Sequence, residues 1–332
     1  MSTLARRVGL LVTAAVLAAL PSLVGPYYTN VFLTFAIFSV FSVSLNLLLG
    51  YTGLFSFGHA MFFGTGGYAT ALALKHVSGL ALLPAVGIGV LSAALLALAL
   101  CPIVVRVGGT AFAMLHLAFS QVMYVLALKL YDITGGEDGV GNFPIPALTI
   151  PGVVSIPMKD DPSNFYYFAI TLLMLSLGLM WFFTRTPLGQ IQLGIRENPR
   201  RVDYLGFKVP QTKAVIYVFS AANAGVAGAL YGLFHNLVSA DGALGALVSF
   251  APIINIMIGG IGSFFGPVVG TAIFQLIEEL TSRYTEHVEL AMGLILVGVI
   301  MYAPMGVLGM LKMLVQRWRA GPAAAPGPAQ KT

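Results

Sequence analysis

Apolar runs of about 20 residues, the helix length that crosses roughly 30 Å of hydrocarbon, recur from one end of the chain to the other with no soluble-length stretch between them. The clear ones are residues 8 to 25, 31 to 49, 82 to 105, 110 to 131, 164 to 184, 214 to 237 and 290 to 310. Residues 54 to 74, 250 to 262 and 266 to 281 are weaker, being Gly-rich, short or interrupted by Glu278 and Glu279, and they fit broken or re-entrant helices. The total is about ten spans. Backbone groups inside lipid must be satisfied within the chain, so the expectation is an all-α polytopic membrane protein with one membrane domain over residues 1–310. Composition agrees: 9% of the residues are charged and 58% hydrophobic, against about 25% charged in soluble domains. The single Cys101 excludes an intrachain disulfide.

The few charges are unevenly placed. Residues 184 to 213 hold eight of the twenty-nine, in a stretch that begins "TRTPLGQIQLGIRENPRRVDYLG". Threading ten spans with the N-terminus inside puts thirteen of the seventeen Lys and Arg on the cytoplasmic side: Arg6, Arg7, Arg106, six in this island and four after residue 311. That asymmetry is the positive-inside signature, and it makes both termini cytoplasmic, residues 185–213 a cytoplasmic loop and residues 132–163 an external one. The opening "ARRVGLLVTAAVLAALPSLVG" also has the form of a signal peptide; its near-span length favours an uncleaved anchor. The tail, 311–332, is basic and low in complexity, which points to disorder.

Within the island, Pro187 suits a helix start, Pro199 an interruption and Gly206 a stop, so a short helix lying beneath the membrane is expected. Spacing alone allows either a positive-inside anchor or a docking element for a cytoplasmic partner.

The motif "RTPLGQIQLGIRENPRRVDYLGFKVPQTKAVIYVFSAANAGVAGALYG" resembles the cytoplasmic loop and following span of the branched-chain amino acid ABC transporter permeases, the M-type subunit of the Liv system. Gly189, Ile195, Arg196, Glu197, Asn198, Leu205 and Gly206 match that family's coupling segment, while Gly194, Asp203 and Tyr204 depart from it. Further resemblances follow in order: "SLNLLLGYTGLFSFGHAMFFGTGGYATALA", "LYDITGGEDGVGNFPIP", "IMIGGIGSFFGPVVGTAIFQLIEE" and "MYAPMGVLGM", the last with Ala303 where the family has Arg. The resemblance implies an ABC importer permease fold, a bacterial cytoplasmic (inner) membrane, and four kinds of partner. These are lipid, a homologous second permease, two cytoplasmic ATPase subunits that would dock on the matching loop residues, and an external substrate-binding protein. The substrate it implies is a branched-chain amino acid; related urea or short-amide permeases share the motifs, and a self-sufficient channel is the reading from another class.

The residues themselves nominate further sites. Asn46, His59, Gln121, Asn223 and Asn255 are polar side chains inside apolar runs, where they face either a helix partner or a solvated path. Gly135, Gly136, Glu137, Asp138 and Gly139 form an acidic, Gly-rich tip on the external loop suited to a basic binding-protein surface. Gly228 and Gly232, and Gly262, Gly266 and Gly270, stand at small-xxx-small spacing for close helix packing. Topology suggests an inverted repeat relating spans 2 to 5 to spans 7 to 10, which the Gly-rich turns do not support. No G-x-x-x-x-G-K-[ST] phosphate loop, H-E-x-x-H or G-x-S-x-G occurs, so no enzyme, metal or cofactor is expected on this chain and ATP–Mg belongs to partner subunits. No feature points to nucleic acid.

Overall fold

The long apolar runs form helices whose ends fall largely where Gly, Pro and polar residues interrupt them. The computed structural model describes residues 3–150, 154–158 and 162–284, and beyond these 290, 293, 294, 297, 298, 301 and 306–310. Helix α1 (Thr3–Asn46) joins the expected spans 8 to 25 and 31 to 49 into one stretch, broken at Gly25 (φ 79°, ψ 169°) between Pro21 and Pro26. It runs into a π-helical turn, Leu47–Thr52. Then follow α2 (Ala60–His76), α3 (Leu82–Val104), α4 (Gly109–Lys129) and the short α5 (Tyr131–Thr134). After them come strands β1 (Val140–Gly141), β2 (Leu148–Ile150) and β3 (Val154–Ile156), then α6 (Pro162–Phe183). The polar island forms α7 (Pro187–Glu197) and α8 (Pro199–Tyr204); α9 (Val209–His235), β4 (Leu237–Val238), α10 (Ala240–Leu244), α11 (Ala246–Gly259) and α12 (Gly266–Ser282) complete the described elements.

Six helices among the described residues are long and apolar enough to cross a membrane. The expected ten are not reached, for identifiable reasons. The two N-terminal runs are one stretch, and α2 and α12 have 17 residues each. The expected span at 290–310 lies mostly outside the described residues, and the tail 311–332 entirely so. Residues 54–74 are indeed not one continuous helix, since α2 begins only at Ala60.

In the interior, α2 packs on α9 and α3 lies against both, while α1 packs against α6, α9, α11 and α12, and α11 against α12. Small residues set the closest approaches: a Cβ at Gly228 would collide with the Phe63 carbonyl, and one at Gly66 with the Gly225 backbone. Within lipid, where exclusion from water no longer drives helices together, such backbone proximity supplies the packing energy. Outward faces stay apolar, as with Leu91, Leu95 and Leu98 on α3 and Leu175, Leu179 and Phe182 on α6. These surfaces suit lipid or other apolar partners. The long loop is tied down by antiparallel pairing of β1 with β4 (Val140 with Val238), and β2 pairs with β3.

Candidate functional site

The polar island is built by local signals. Thr186 caps α7, its Oγ1 accepting from the Gly189 N–H at 3.2 Å with Pro187 in the first turn. Asn198 caps α8 in the same way, accepting from the Arg201 N–H at 3.1 Å, with Pro199 following. Gly189 is buried where a Cβ would strike the Phe183 and Thr184 backbone. Ile195 packs with Val202 and Val209 in a small apolar cluster beneath the two helices. Three of the expected docking residues, Gly189, Ile195 and Asn198, therefore shape the element itself.

Arg196 is exposed along α7, yet its head group reaches back toward the membrane helix. Its guanidinium donates to the Gly50 carbonyl in the π-helical turn of α1, and a Cβ at Gly262 would stand 3.2 Å from the same group. Thr52 in that turn lies 3.5 Å from Gln192 of α7, which is fully buried. The unwound end of α1 leaves carbonyls that a long cation can reach, and Gly53 and Gly262 clear the path to them. Glu197, Leu205 and Gly206 are exposed on the element as well, together with Tyr204 and Phe207. Tyr204 is 87% and Leu205 71% exposed, which makes this an apolar tip in an otherwise basic loop. Tyr204 and Phe207 were not among the sequence candidates, although two aromatics in a polar island are a legible sign of a contact surface.

The intramembrane polar residues do not surround one cavity. Asn46 Nδ2 donates to the Ser263 carbonyl at 3.0 Å, His59 Nε2 meets Ser44 Oγ at 2.9 Å, and Ser176 Oγ donates to Asn223 Oδ1 at 2.6 Å. Asn255 Nδ2 donates to Ser42 Oγ at 3.0 Å. These four tie helices together. Gln121 does not join them; it lies half-buried on α4 beside Val122, Val125 and Lys129, in a shallow surface depression. His116, buried and 2.7 Å from the Tyr217 hydroxyl, is an interior polar residue that the sequence reading passed over. The same rule that selected His59, a polar side chain within an apolar run, would have found it.

The external-loop candidates divide. Gly135 (φ 72°) ends α5, Gly136 is buried, and a Cβ at Gly139 would meet the Val238 carbonyl, so these glycines let the loop close against β4. Glu137 and Asp138 are exposed. Nearby, Tyr124 donates to Asp241 at 2.7 Å, joining α4 to α10.

A cleft of about 700 Å³ opens between α1, α9, α11 and α12. Its walls are mainly apolar, with Asn255, Thr271, His235, Gln275 and Glu278 among the polar lining residues. Asn255 is the one sequence candidate that reaches it.

Comparison with known proteins bears on what this arrangement does. The chain is 28% identical over 330 residues to the high-affinity branched-chain amino acid transport system permease protein LivM of Escherichia coli, covering 94% of this chain and 77% of that protein. It is 25% identical over 302 residues to the probable branched-chain amino acid transport permease protein LivM of Methanocaldococcus jannaschii, covering 80% of this chain and 84% of that one. A shorter stretch of 142 residues is 28% identical to the high-affinity branched-chain amino acid transport system permease protein LivH of Escherichia coli, covering 42% of this chain and 46% of LivH. No solved structure matches the chain. Residues 27–305 match the family described as branched-chain amino acid transport system / permease component, and the chain belongs to that family.

Proposed function

We propose that this chain is one of two homologous permease subunits of an ATP-driven ABC importer that passes branched-chain amino acids inward. The observation that carries the reading is α7–α8. This element presents Tyr204, Leu205 and Phe207 outward while Arg196 grips the π-helical turn of α1 and Gln192 meets Thr52 in it, so a push on the loop reaches a membrane helix directly. Such an element serves a chain that takes its energy from another subunit, in keeping with a sequence lacking a phosphate loop.

Two ATPase subunits carrying ATP–Mg dock on that tip in the cytoplasm, and the second permease is a relative of the LivH kind, to which part of this chain is similar. An external binding protein delivers substrate at the opposite end, where Glu137 and Asp138 are exposed. Both termini are cytoplasmic in a bacterial inner membrane, and about ten helices cross it. Reciprocal packing supports an inverted repeat in which α1, α11 and α12 correspond to α9, α2 and α3: α2 packs on α9 as α11 packs on α1, and α3 packs on α2 and α9 as α12 packs on α11 and α1.

Proteoliposomes holding the complete complex and supplied with the binding protein test this. ATP-dependent accumulation of labelled leucine, isoleucine or valine is the expected result. Transport of urea without leucine would establish the amide-permease alternative, and ATP-independent equilibration by the chain alone would establish a channel.

A further inference from the structure

The cleft is lined by residues of α1, α9, α11 and α12 and bordered by Gly293. Thr34 and Phe38 on α1 and Tyr231 and His235 on α9 are each four residues apart, and Thr271, Gln275 and Glu278 on α12 follow at i, i+4 and i+7. Its volume, about 700 Å³, falls in the roughly 300–1,000 Å³ range of small-molecule sites. The polar groups are not scattered evenly. α12 starts beside the Gly260–Ser263 turn near Arg196, and at a rise of about 1.5 Å per residue Glu278 lies roughly 18 Å farther along. His235 likewise ends α9, at the opposite end from α8. The far mouth thus carries His235, Gln275 and Glu278, and the deep part Asn255 and Thr271.

Two adjacent carboxylates on α12 have different fates. Glu279 accepts from Tyr27 at 2.7 Å and pairs with Arg283 at 2.8 Å. Glu278, exposed at the mouth, has no hydrogen-bond or ion-pair partner among the described residues, and none of the described residues that line the cleft is Lys or Arg. A carboxylate left unpaired against an apolar wall is costly in a membrane protein and is stabilised by a cationic partner. An inorganic cation would gain nothing from walls of Phe38, Ile254, Met257 and Phe274. A lipid tail would gain nothing from the carboxylate. An α-amino acid with a branched side chain uses both.

We infer that this cleft is a substrate station of the permease, where Glu278 receives the ammonium group of the amino acid, Gln275 donates its amide N–H to the carboxylate, and the apolar stripe holds the branched side chain. This deepens the proposed transport function and rests on it.

The test uses the complete complex in proteoliposomes with leucine-loaded binding protein. In one set, Ala251→Cys or Leu247→Cys places a thiol on the cleft wall, and labelling by a small water-soluble maleimide is timed with and without transport; buried Cys101 gives the slow background. In the other, uptake of labelled leucine is compared for Glu278→Gln and Glu278→Asp. The expected results are slower thiol labelling during leucine transport, about a tenfold drop in uptake for Glu278→Gln, and partial recovery for Glu278→Asp. Labelling indifferent to leucine, labelling blocked in the complex with or without leucine, or full uptake by Glu278→Gln would each overturn the proposal while leaving the importer intact. A parent complex that accumulates no leucine would overturn the importer reading and the station with it.

Discussion

The trio α2, α3 and α9 and the hairpin α11–α12 are both helical and both rich in close glycines, yet they are attached to the molecule differently. In the trio, backbones from different parts of the chain touch: Gly66 faces Gly225, and Gly228 faces Phe63. In the hairpin the closest glycine contacts between helices are internal, with Gly259 against Gly266 and Gly270 against the Asn255 carbonyl, while its turn meets other parts of the chain through Gly262 beside Arg196 and Gly260 beside Gly306. To α1 it is joined through side chains, Asn255 and Thr271 both meeting Ser42 and Ile253 and Ile256 packing with Leu45 and Leu49, and a cleft opens beside Thr34 and Phe38. Backbone contacts cannot be relieved by a change of rotamer, whereas side-chain hydrogen bonds can exchange partners at modest cost. The trio is built as a fixed frame and the hairpin as a unit that can shift against it.

The most severe way to break the frame is Gly228→Leu. Overpacking against a backbone carbonyl costs at least the ~1–3 kcal/mol typical of crowded cores, and the expected outcome is near-complete loss of monodisperse protein after detergent extraction. Ala251→Leu, which adds similar bulk on the cleft wall, is expected to leave extraction yield intact. Equal yields would remove the distinction between frame and hairpin.

Next in size is Arg196→Ala, which removes the charged tie between α7 and the π-helical turn and leaves the Gln192–Thr52 contact. A charge-assisted hydrogen bond worth about 1.5 kcal/mol corresponds to roughly a tenfold shift in an equilibrium, so transport-coupled ATP hydrolysis should fall by about that factor while extraction yield is kept. Glu197→Ala, at an exposed position, should change it far less. A cysteine at exposed Asn198 should crosslink to the ATPase subunit, which tests the docking surface separately.

Smaller still is the combined change Glu137→Gln and Asp138→Asn on the external loop. Rim charges act mainly on association rate, so stimulation by the binding protein should weaken a few-fold at low salt and converge with the parent at high salt. Deleting residues 136–141 would be a less clean probe, because it also removes the β1 pairing with β4.

The smallest expected effect sharpens the picture of the hairpin. Asn255→Leu with Thr271→Val removes its side-chain bonds to Ser42, and interhelical bonds of this kind average about 0.6 kcal/mol. Thermal stability in detergent should therefore move only slightly. A collapse comparable to Gly228→Leu would mean that the hairpin, too, is fixed.

How much of this was legible follows the range of each signal. Pro187 marks a helix start through contacts within a turn, and α7 begins there; Pro199 read as an interruption, and the structure starts a second helix at it, capped by Asn198. The glycine spacing of Gly228 anticipated close packing, though it could not say that Phe63 was the neighbour. Gly262 shared the same spacing and does something else, leaving room for Arg196. Asn46, His59, Asn223 and Asn255 were recognisable as costly polar residues, but whether each met a helix partner or a cavity depended on residues far away in sequence. Gln121 looked the same in sequence and stands apart from them.

By itself the sequence determined that the chain is a helical membrane protein, where most of its helices begin and end, and that its middle carries a polar loop, because hydrophobicity, proline geometry and capping act over a few residues. Only the tertiary structure decided which side of that loop faces inward, which glycines are frame and which are clearance, and that Glu278 faces a cleft while Glu279 is paired. Those outcomes depend on partners such as Arg196 and Gly50, 146 positions apart, or Tyr27 and Glu279, 252 apart. Once lipid satisfies every apolar face equally, the pairing of such distant groups is set by shape and hydrogen bonding between helices, which no local pattern encodes.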